Sequence, residues 1–236
     1  MYKIRAFRAI DEPETCKIYL KKHVQVLLDY GITNITSNNE DWMKNPGTYC
    51  VIINDLDDEM VAGIRVQIKN DEYQLPVELA VGYIDKNVHK LVESFQNNGG
   101  IGELCGLWNS KQVKKVGTSV ILVRAAVAMT SQLKFETLTG ICSDYSMKMF
   151  TDVGFVVDRT LGKNGDFFYP NEETIARVVG ILNAKKLETA APFDKKQILN
   201  LRVNPVQTKI ETGPKGDFKV FYNMIISTKQ PSLKHA

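Results

Sequence analysis

The sequence predicts a mixed α/β fold built on a central twisted sheet that helices flank. The chain of 236 residues is 44% hydrophobic and 24% charged, a balance typical of a globular protein with a sizeable core. Two runs rich in valine and isoleucine, Thr48 to Asn54 and Met60 to Ile68, enclose a polar loop and indicate a hairpin. Residues 103–154 then alternate between strand and helix patterns, which is typical of parallel strands joined by helices.

The segments on either side of the hairpin predict one strand and two helices. Tyr2 to Ile10 alternates between charged and apolar residues like a strand. Acidic residues around Pro13 suit the start of an amphipathic helix that ends near Tyr30. After the hairpin, Leu75 to Tyr83 is expected to be irregular, whereas Asn87 to Phe95 has helical periodicity.

A strand–helix–strand–helix unit follows. Glu103 to Trp108 is a short apolar strand, and Gly117 to Leu133 is an almost wholly apolar helix. Phe135 to Cys142 predicts a second strand, and Tyr145 to Val153 a helix that ends at a glycine. A crossover helix between parallel strands is buried against the sheet, which explains why the first of these helices has almost no polar face.

The residues after about position 170 predict an extension of the main domain. Helices are expected at Asn171 to Leu187 and at Lys195 to Leu201, and a hairpin at Thr208 to Glu211 with Phe218 to Ile226. Thr228 to Ala236 predicts a frayed tail. We therefore expect residues 1–170 to form the main domain and residues 171–236 to pack on it as a C-terminal helix-plus-hairpin extension.

Composition and charge argue against several classes of protein. A formal charge of +3, from 30 basic and 27 acidic residues, is too small and too evenly spread to favour nucleic acid as a partner. No window approaches a membrane span and no signal peptide is recognisable, so a cytoplasmic protein is expected. The glycosylation sequon at Asn34 is accordingly interpreted as a chance match. Single cysteines and widely spaced histidines predict reduced thiols and no metal site.

The segment Lys114-Lys115-Val116-Gly117-Thr118-Ser119 joins the first strand of that unit to its apolar helix. A flexible glycine at a helix start lets several unpaired backbone amides point at one spot, where the helix dipole also favours negative charge. Lysines at positions 111, 114 and 115 add positive charge beside those amides. The segment therefore predicts a pyrophosphate site. The alternative is a plain turn that Thr118 caps and whose lysines are solvated.

This segment resembles the central motif of the GNAT superfamily of N-acetyltransferases. That motif is Gln or Arg, two residues, Gly, one residue, then Gly or Ala, followed by a helical leucine; the matching positions are Lys114, Gly117, Ser119 and Leu122. The next strand and helix close on Phe150 and Gly154-Phe155, similar to the family's ending of Tyr, three residues and Gly-Phe. The resemblance covers residues 100–158 well. It implies a GNAT-type mixed sheet and acetyl-CoA, a longer acyl-CoA or an acyl carrier protein as the donor.

The resemblance also implies roles for individual residues. Glu103 would bind the incoming ammonium and, directly or through water, take its proton; the alternative is a carboxylate at the strand edge in solvent. Backbone amides around Leu107 and Trp108 would polarise the thioester carbonyl. The residues implied in donor binding are Leu107, Trp108, Lys114, Lys115, Val116, Gly117, Thr118, Ser119, Ser143 and Phe150.

Two departures from the family pattern affect the expected chemistry. Phe150 occupies the place of the family's tyrosine and has no proton to give a leaving thiolate, and Ser143 stands where members often have Asn. The acid would then be water, another group, or Tyr145, which lies on the same predicted helix. The alternative for Tyr145 is a ring that packs at the helix start.

A weaker similarity concerns Glu103-Leu104-Cys105-Gly106-Leu107. It resembles the Glu, apolar, Ser or Thr, Arg, apolar signature of acyl-homoserine-lactone synthases and long-chain N-acyl amino acid synthases, with Gly106 in place of the arginine and Cys105 in place of the hydroxyl residue. Cys105 is interpreted as a structural thiol in preference to a nucleophile. The function expected is transfer of an acyl group to a small-molecule amine, by a monomer or a homodimer. The alternative is a GNAT-like ligand-binding or interaction module without catalysis.

Overall fold

A computed structural model of the protein describes residues 1–32 and 39–226. The sequon at Asn34 and the predicted tail from Thr228 lie outside these residues. The strands are β1 (Tyr2–Arg8), β2 (Thr48–Asn54), β3 (Met60–Ile68), β4 (Ile101–Asn109), β5 (Thr137–Ser143), β6 (Val156–Val157), β7 (Asp166–Phe168), β8 (Ile175–Ile181), β9 (Val206–Gly213) and β10 (Gly216–Asn223). The helices are α1 (Pro13–Asp29), α2 (Asp41–Lys44), α3 (Pro76–Val81), α4 (Asn87–Asn97), α5 (Thr118–Met129), α6 (Asp144–Asp152) and α7 (Pro192–Val203).

Over the described residues, all ten strands join one mixed sheet in the order β6-β8-β5-β4-β3-β2-β1-β10-β9, with β7 also paired to β8. The pairs β4–β5 and β1–β10 are parallel, and the other neighbours are antiparallel. With these strand directions, the C-terminal end of β4 and the turn between β9 and β10 lie at the same end of the sheet.

The two faces of the sheet are covered by different helices. On one face, α5 packs across β2, β3 and β4 and against α7, so nearly all of its side chains are buried, as its apolar sequence predicts. On the other face, α1, α3 and α4 contact β3 or β4. Because side chains alternate along a strand, Ile64 and Val66 of β3 join the core under α5, whereas Arg65 and Gln67 are buried on the opposite face.

Two predictions for local structure are wrong. The predicted helix from Asn171 to Leu187 is instead β8, because its β-branched residues favour a strand and the free edge of β5 supplies an antiparallel partner. The segment predicted as irregular contains α3. Pro76 occupies its first turn, and the Glu78 carboxylate accepts the Leu75 N–H at 2.8 Å, which is the reciprocal cap of a helix start.

The residues after position 170 contribute β8, α7, β9 and β10, and all three strands belong to the main sheet. The predicted C-terminal helix and hairpin are therefore present. The domain boundary at residue 170 stays a prediction. Among the described helices, none combines the length and apolar character that a membrane crossing requires.

Candidate active site

The sheet splits between β4 and β5. The two strands pair only from Ile101 to Leu104 and from Thr137 to Gly140, although β4 continues to Asn109 and β5 to Ser143. Beyond Leu104 the two strands have no shared register. The backbone of β4 is thus free on that side to bind an extended ligand, in the way that an exposed strand edge binds one.

A β-bulge in β4 lies directly at this split. The register between β3 and β4 shifts between Gly63 and Arg65, and Gly106 has a φ of 59°, in the left-handed region. The Tyr19 hydroxyl donates to the Gly106 carbonyl. A Cβ at position 106 would lie 2.8 Å from Nε of Arg65, so a side chain here would collide with the guanidinium. Glycine is required by both conformation and space.

Leu107 and Trp108, whose amides are predicted to polarise the thioester, follow the bulge directly. Leu107 is half-buried, and the buried Trp108 ring packs edge-on against Tyr19 with centroids 5.7 Å apart. These contacts fix the direction of the β4 backbone beyond the bulge.

Glu103 is enclosed and not in solvent, so the alternative of an edge carboxylate is wrong. Its side chain is 2% exposed, and its Oε2 accepts the Val77 N–H at 2.7 Å. The pKa of Glu103 is raised to about 8, chiefly by burial and to a lesser extent by the charge of Glu78, against the lowering effects of the Val77 N–H and of Arg65. A carboxyl group with such a pKa can accept a proton at slightly alkaline pH.

A buried polar and aromatic cluster that the sequence did not predict surrounds Arg65. Arg65 is 1% exposed and lies over the Trp42 ring at 4.3 Å from its centroid. Burial and the charge of Arg65 lower the pKa of His23 to about 3, so that this imidazole is neutral at physiological pH. The available sequence signal was Arg65 itself, which is the one charged residue in the apolar strand Met60–Ile68.

The predicted phosphate segment, Lys114 to Ser119, lies between the end of β4 at Asn109 and the start of α5 at Thr118. Gly117, with a φ of 105°, is the residue before the helix, and no side chain caps that helix start. Among the described residues, none supplies an acceptor to the backbone N–H groups of Gly117, Thr118 and Ser119. Thr118 therefore does not cap the helix as the plain-turn alternative expects, although the lysines are exposed, and the pyrophosphate site stays a prediction.

Side-chain hydrogen bonds to Asn109 hold this segment in place. The Thr118 hydroxyl donates to Oδ1 of Asn109 at 2.8 Å, and the Asn109 amide donates to the Ser119 hydroxyl. Lys114 and Lys115 are exposed, and Val116 is half-buried. Lys111, by contrast, forms an ion pair of 3.0 Å with Asp29 at the end of α1. The positive charge beside the open amides thus comes from two lysines, not three.

The remaining predicted residues lie on the β5 side of the split. Phe150 is buried against Phe155, with ring centroids 5.0 Å apart, beneath Gly140 at the end of the paired region. Ser143 is half-buried at the junction of β5 and α6. Tyr145 is fully exposed, so it does not pack at the helix start, and the structure does not bring its hydroxyl into the enclosure that holds Glu103.

The cysteine in the β4 segment has the properties of a structural thiol. Burial raises the pKa of Cys105 to about 12, so it is protonated at physiological pH and is a poor nucleophile. Among residues 1–32 and 39–226, no three His, Cys, Asp or Glu side chains form a cluster that could hold a metal ion.

Comparisons with known proteins agree with this geometry at the level of fold. Neither a protein-family model nor a curated protein matches the sequence. The structure of FeeM, an N-acyl amino acid synthase from uncultured soil microbes, superposes with a TM-score of 0.59 and 9% identity over 81% of this chain and 99% of that one. This chain has a GNAT-type fold. The fold class predicted from the sequence is thereby confirmed.

Two further GNAT-fold structures support the same assignment. BjaI, a CoA-dependent acyl-homoserine lactone synthase, has a TM-score of 0.54 and 12% identity over 84% of this chain and 90% of that one. An acyl-CoA N-acyltransferase from Pseudomonas aeruginosa has a TM-score of 0.50 and 11% identity over 76% and 99%. At these identities the likeness concerns the GNAT fold alone.

Proposed function

We propose that this protein transfers an acyl group from the thioester of acyl-CoA, or of an acyl carrier protein, to the amine of a small molecule. The observation that carries the proposal is the split between β4 and β5, together with three backbone N–H groups at the start of α5 that have no acceptor among the described residues. A linear donor with a phosphorylated end and a thioester at the other fits that shape. FeeM, an N-acyl amino acid synthase, and BjaI, a CoA-dependent acyl-homoserine lactone synthase, share this fold and support the proposal.

The donor would bind along the unpaired part of β4. Its pyrophosphate would accept from the N–H groups of residues 117–119, beside the charges of Lys114 and Lys115. Its pantetheine arm would occupy the split, which would bring the thioester carbonyl to the amides of Leu107 and Trp108. Hydrogen bonds from these amides would stabilise the negative charge that develops on the carbonyl oxygen during attack.

Glu103 would serve the acceptor. An ammonium is not a nucleophile, so a proton must leave the amine before or as its nitrogen attacks the thioester carbon. The Glu103 carboxylate would take that proton while the carbon–sulfur bond breaks. Since Phe150 has no proton for the leaving thiolate, that proton would come from water or from the exposed Tyr145. The acceptor must also reach past Val77, whose N–H holds the carboxylate.

A second candidate function is ligand binding without transfer. It is favoured by the enclosure of Glu103 under α3 and by the phenylalanine at position 150. Release of free thiol from acyl-CoA in the presence of an amine library separates the two functions. Thiol release that requires both the protein and an amine supports transfer, whereas donor binding without thiol release supports a binding module.

The first test of the proposal is thermal unfolding in the presence of donors. Acetyl-CoA, a long-chain acyl-CoA and bare CoA, each at about a hundred times its Kd, should raise the melting temperature by about 5 °C or more, because they bind only the folded state. Pantetheine, which lacks the pyrophosphate, should give almost no shift. Equal melting temperatures with and without every CoA compound would contradict CoA as the donor and leave the carrier protein to be tested.

A second prediction concerns the lysines of the phosphate segment. The double variant Lys114→Ala/Lys115→Ala should bind CoA about tenfold more weakly at low ionic strength. Its affinity should also depend much less on salt, because it lacks the two positive charges whose attraction to the phosphates salt would screen. The matched control is Lys185→Ala/Lys186→Ala, which removes the same charge beyond β8, at the opposite end of the sheet. Isothermal titration over a salt series measures both. Identical salt slopes for the two double variants would remove the lysines from the donor site.

A further inference from the structure

The β9–β10 hairpin touches the phosphate segment at one point. Gly213, at the end of β9, packs so closely that a Cβ at this position would lie 1.8 Å from the Val116 carbonyl oxygen. A Cβ at Gly117 would in turn lie 3.3 Å from the Gly213 Cα and 3.7 Å from the Phe218 ring. The turn of the hairpin therefore contacts Gly117, whose N–H is the first of the three that form the predicted anion site.

Further along the helix, Arg124 of α5 forms one nearly buried ion pair with the hairpin and another with α7. Arg124 of α5 donates to Asp194 of α7 at 2.7 Å and lies 3.9 Å from Glu211 of β9. Glu211 also accepts the Tyr222 hydroxyl of β10 at 2.8 Å. The hairpin thus contacts α5 at two places. Glu211 pairs with Arg124 in the middle of the helix, and Gly213 packs against the residues before its N-terminus.

Between these two places the hairpin stands away from the helix. A cavity of about 350 Å³ separates them, lined by α5 from Gly117 to Arg124, by Phe193 and Gln197 of α7, and by β9 from Lys209. The contact at Gly213 is therefore local and does not belong to a continuous packed interface. A substitution at Gly213 would therefore displace the phosphate segment more than it displaces the core.

We infer that the C-terminal hairpin positions the phosphate segment through the contact of Gly213 and Phe218 with Val116 and Gly117. The inference assigns a role to the extension and, in its consequence for donor affinity, rests on the proposed function. Gly213 is a positioning residue, since the amides that would bind the donor belong to residues 117–119. An anion site made of backbone amides depends on the direction of each N–H, so a displaced segment would bind a pyrophosphate less well.

The test is Gly213→Ala, with Gly216→Ala as its matched control in the same hairpin. Gly216 has a φ of 102°, so alanine strains the turn, but its Cβ would meet nothing within 4 Å. We expect Gly213→Ala to weaken CoA binding about tenfold. It should also speed amide hydrogen exchange at Lys114 and Val116 of the ligand-free protein, whose N–H groups donate to the carbonyls of Lys111 and Val113. Gly216→Ala should stay within about twofold of the wild-type affinity, with unchanged exchange at Lys114 and Val116.

A second variant keeps the test decisive if Gly213→Ala does not fold, as judged by circular dichroism. Phe218→Leu removes the ring edge from Gly117 but keeps an apolar side chain, and it should act in the same direction. Wild-type exchange at Lys114 and Val116 of the folded variant would overturn the inference. If the wild-type protein itself binds no CoA, the proposed donor is wrong, but the exchange measurement still decides whether the hairpin holds the segment.

Discussion

Replacing Glu103 with glutamine is expected to lower kcat for amine acylation by about 10² to 10⁴ at pH 8, because the variant keeps the shape of the side chain but has no basic oxygen. The Kd of the donor should stay within about twofold, since Glu103 lies under α3 in the paired part of β4 and not in the phosphate segment. Steady-state kinetics and a binding titration measure the two quantities. Equal kcat values for the variant and the wild type would remove Glu103 from the mechanism.

The pH dependence of kcat distinguishes a catalytic role of Glu103 from a purely structural one. With a pKa of about 8, the wild-type carboxyl ionises as pH rises, so kcat should increase toward a plateau above that value. Glu78 is a useful partner variant because its charge raises the pKa of Glu103. Glu78→Gln should move the rise of kcat to lower pH, and Glu103→Gln should abolish it.

The same shift affects folding, with a sign that can be checked. Between pH 4.5, the ordinary value, and pH 8, Glu103 is ionised in the unfolded chain and protonated in the folded protein. The folded state then binds more protons, so this group's contribution to the free energy of unfolding is complete below pH 4.5 and is lost as pH rises toward 8. Glu103→Gln should flatten the pH dependence of urea unfolding in this interval.

The second large effect is expected at the ion pair between α5 and α7. Asp194→Ala should lower the free energy of unfolding by about 3 kcal/mol, because it leaves the Arg124 guanidinium nearly buried without its closest carboxylate. Urea unfolding with an unchanged m-value measures the loss.

Two controls make this result specific. Asp152→Ala removes a carboxylate that pairs with Lys148 in solvent at 2.8 Å, and it should leave the unfolding midpoint nearly unchanged. In the Asp194→Ala background, Arg124→Met should recover part of the loss, because the unpaired charge is replaced by an apolar side chain of similar length. No recovery would mean that the loss comes from repacking of α7 and not from the charge.

The parts of the fold that local sequence determines were predicted well. The bounds of β2 and β3 agree with the predicted runs, because alternation and β-branched residues report a strand directly. The apolar sequence of α5 and the glycine before it likewise predicted a buried helix with an open N-terminus. These features depend on neighbours in the chain, which the sequence displays.

Features that depend on distant partners were not predicted. β8 was predicted as a helix although its β-branched residues favour a strand, and its antiparallel partner β5 lies far away in the sequence. Glu103 looked as suited to solvent as to a base, since the α3 segment that covers it was expected to be irregular. The cluster of Tyr19, Trp42 and Arg65 comes from three separate elements, so the spacing of these residues in the sequence does not predict it.

The parallel pairing of β1 with β10 has a consequence for how the protein is made. Tyr2 pairs with Val220, so β1 receives its second neighbour only after all the residues between these two strands have been synthesised. Contacts between such distant residues form late and slow folding, since the intervening chain must be closed into a loop first. Until then β1 presents a free edge, and nascent chains that meet at that edge would pair with each other.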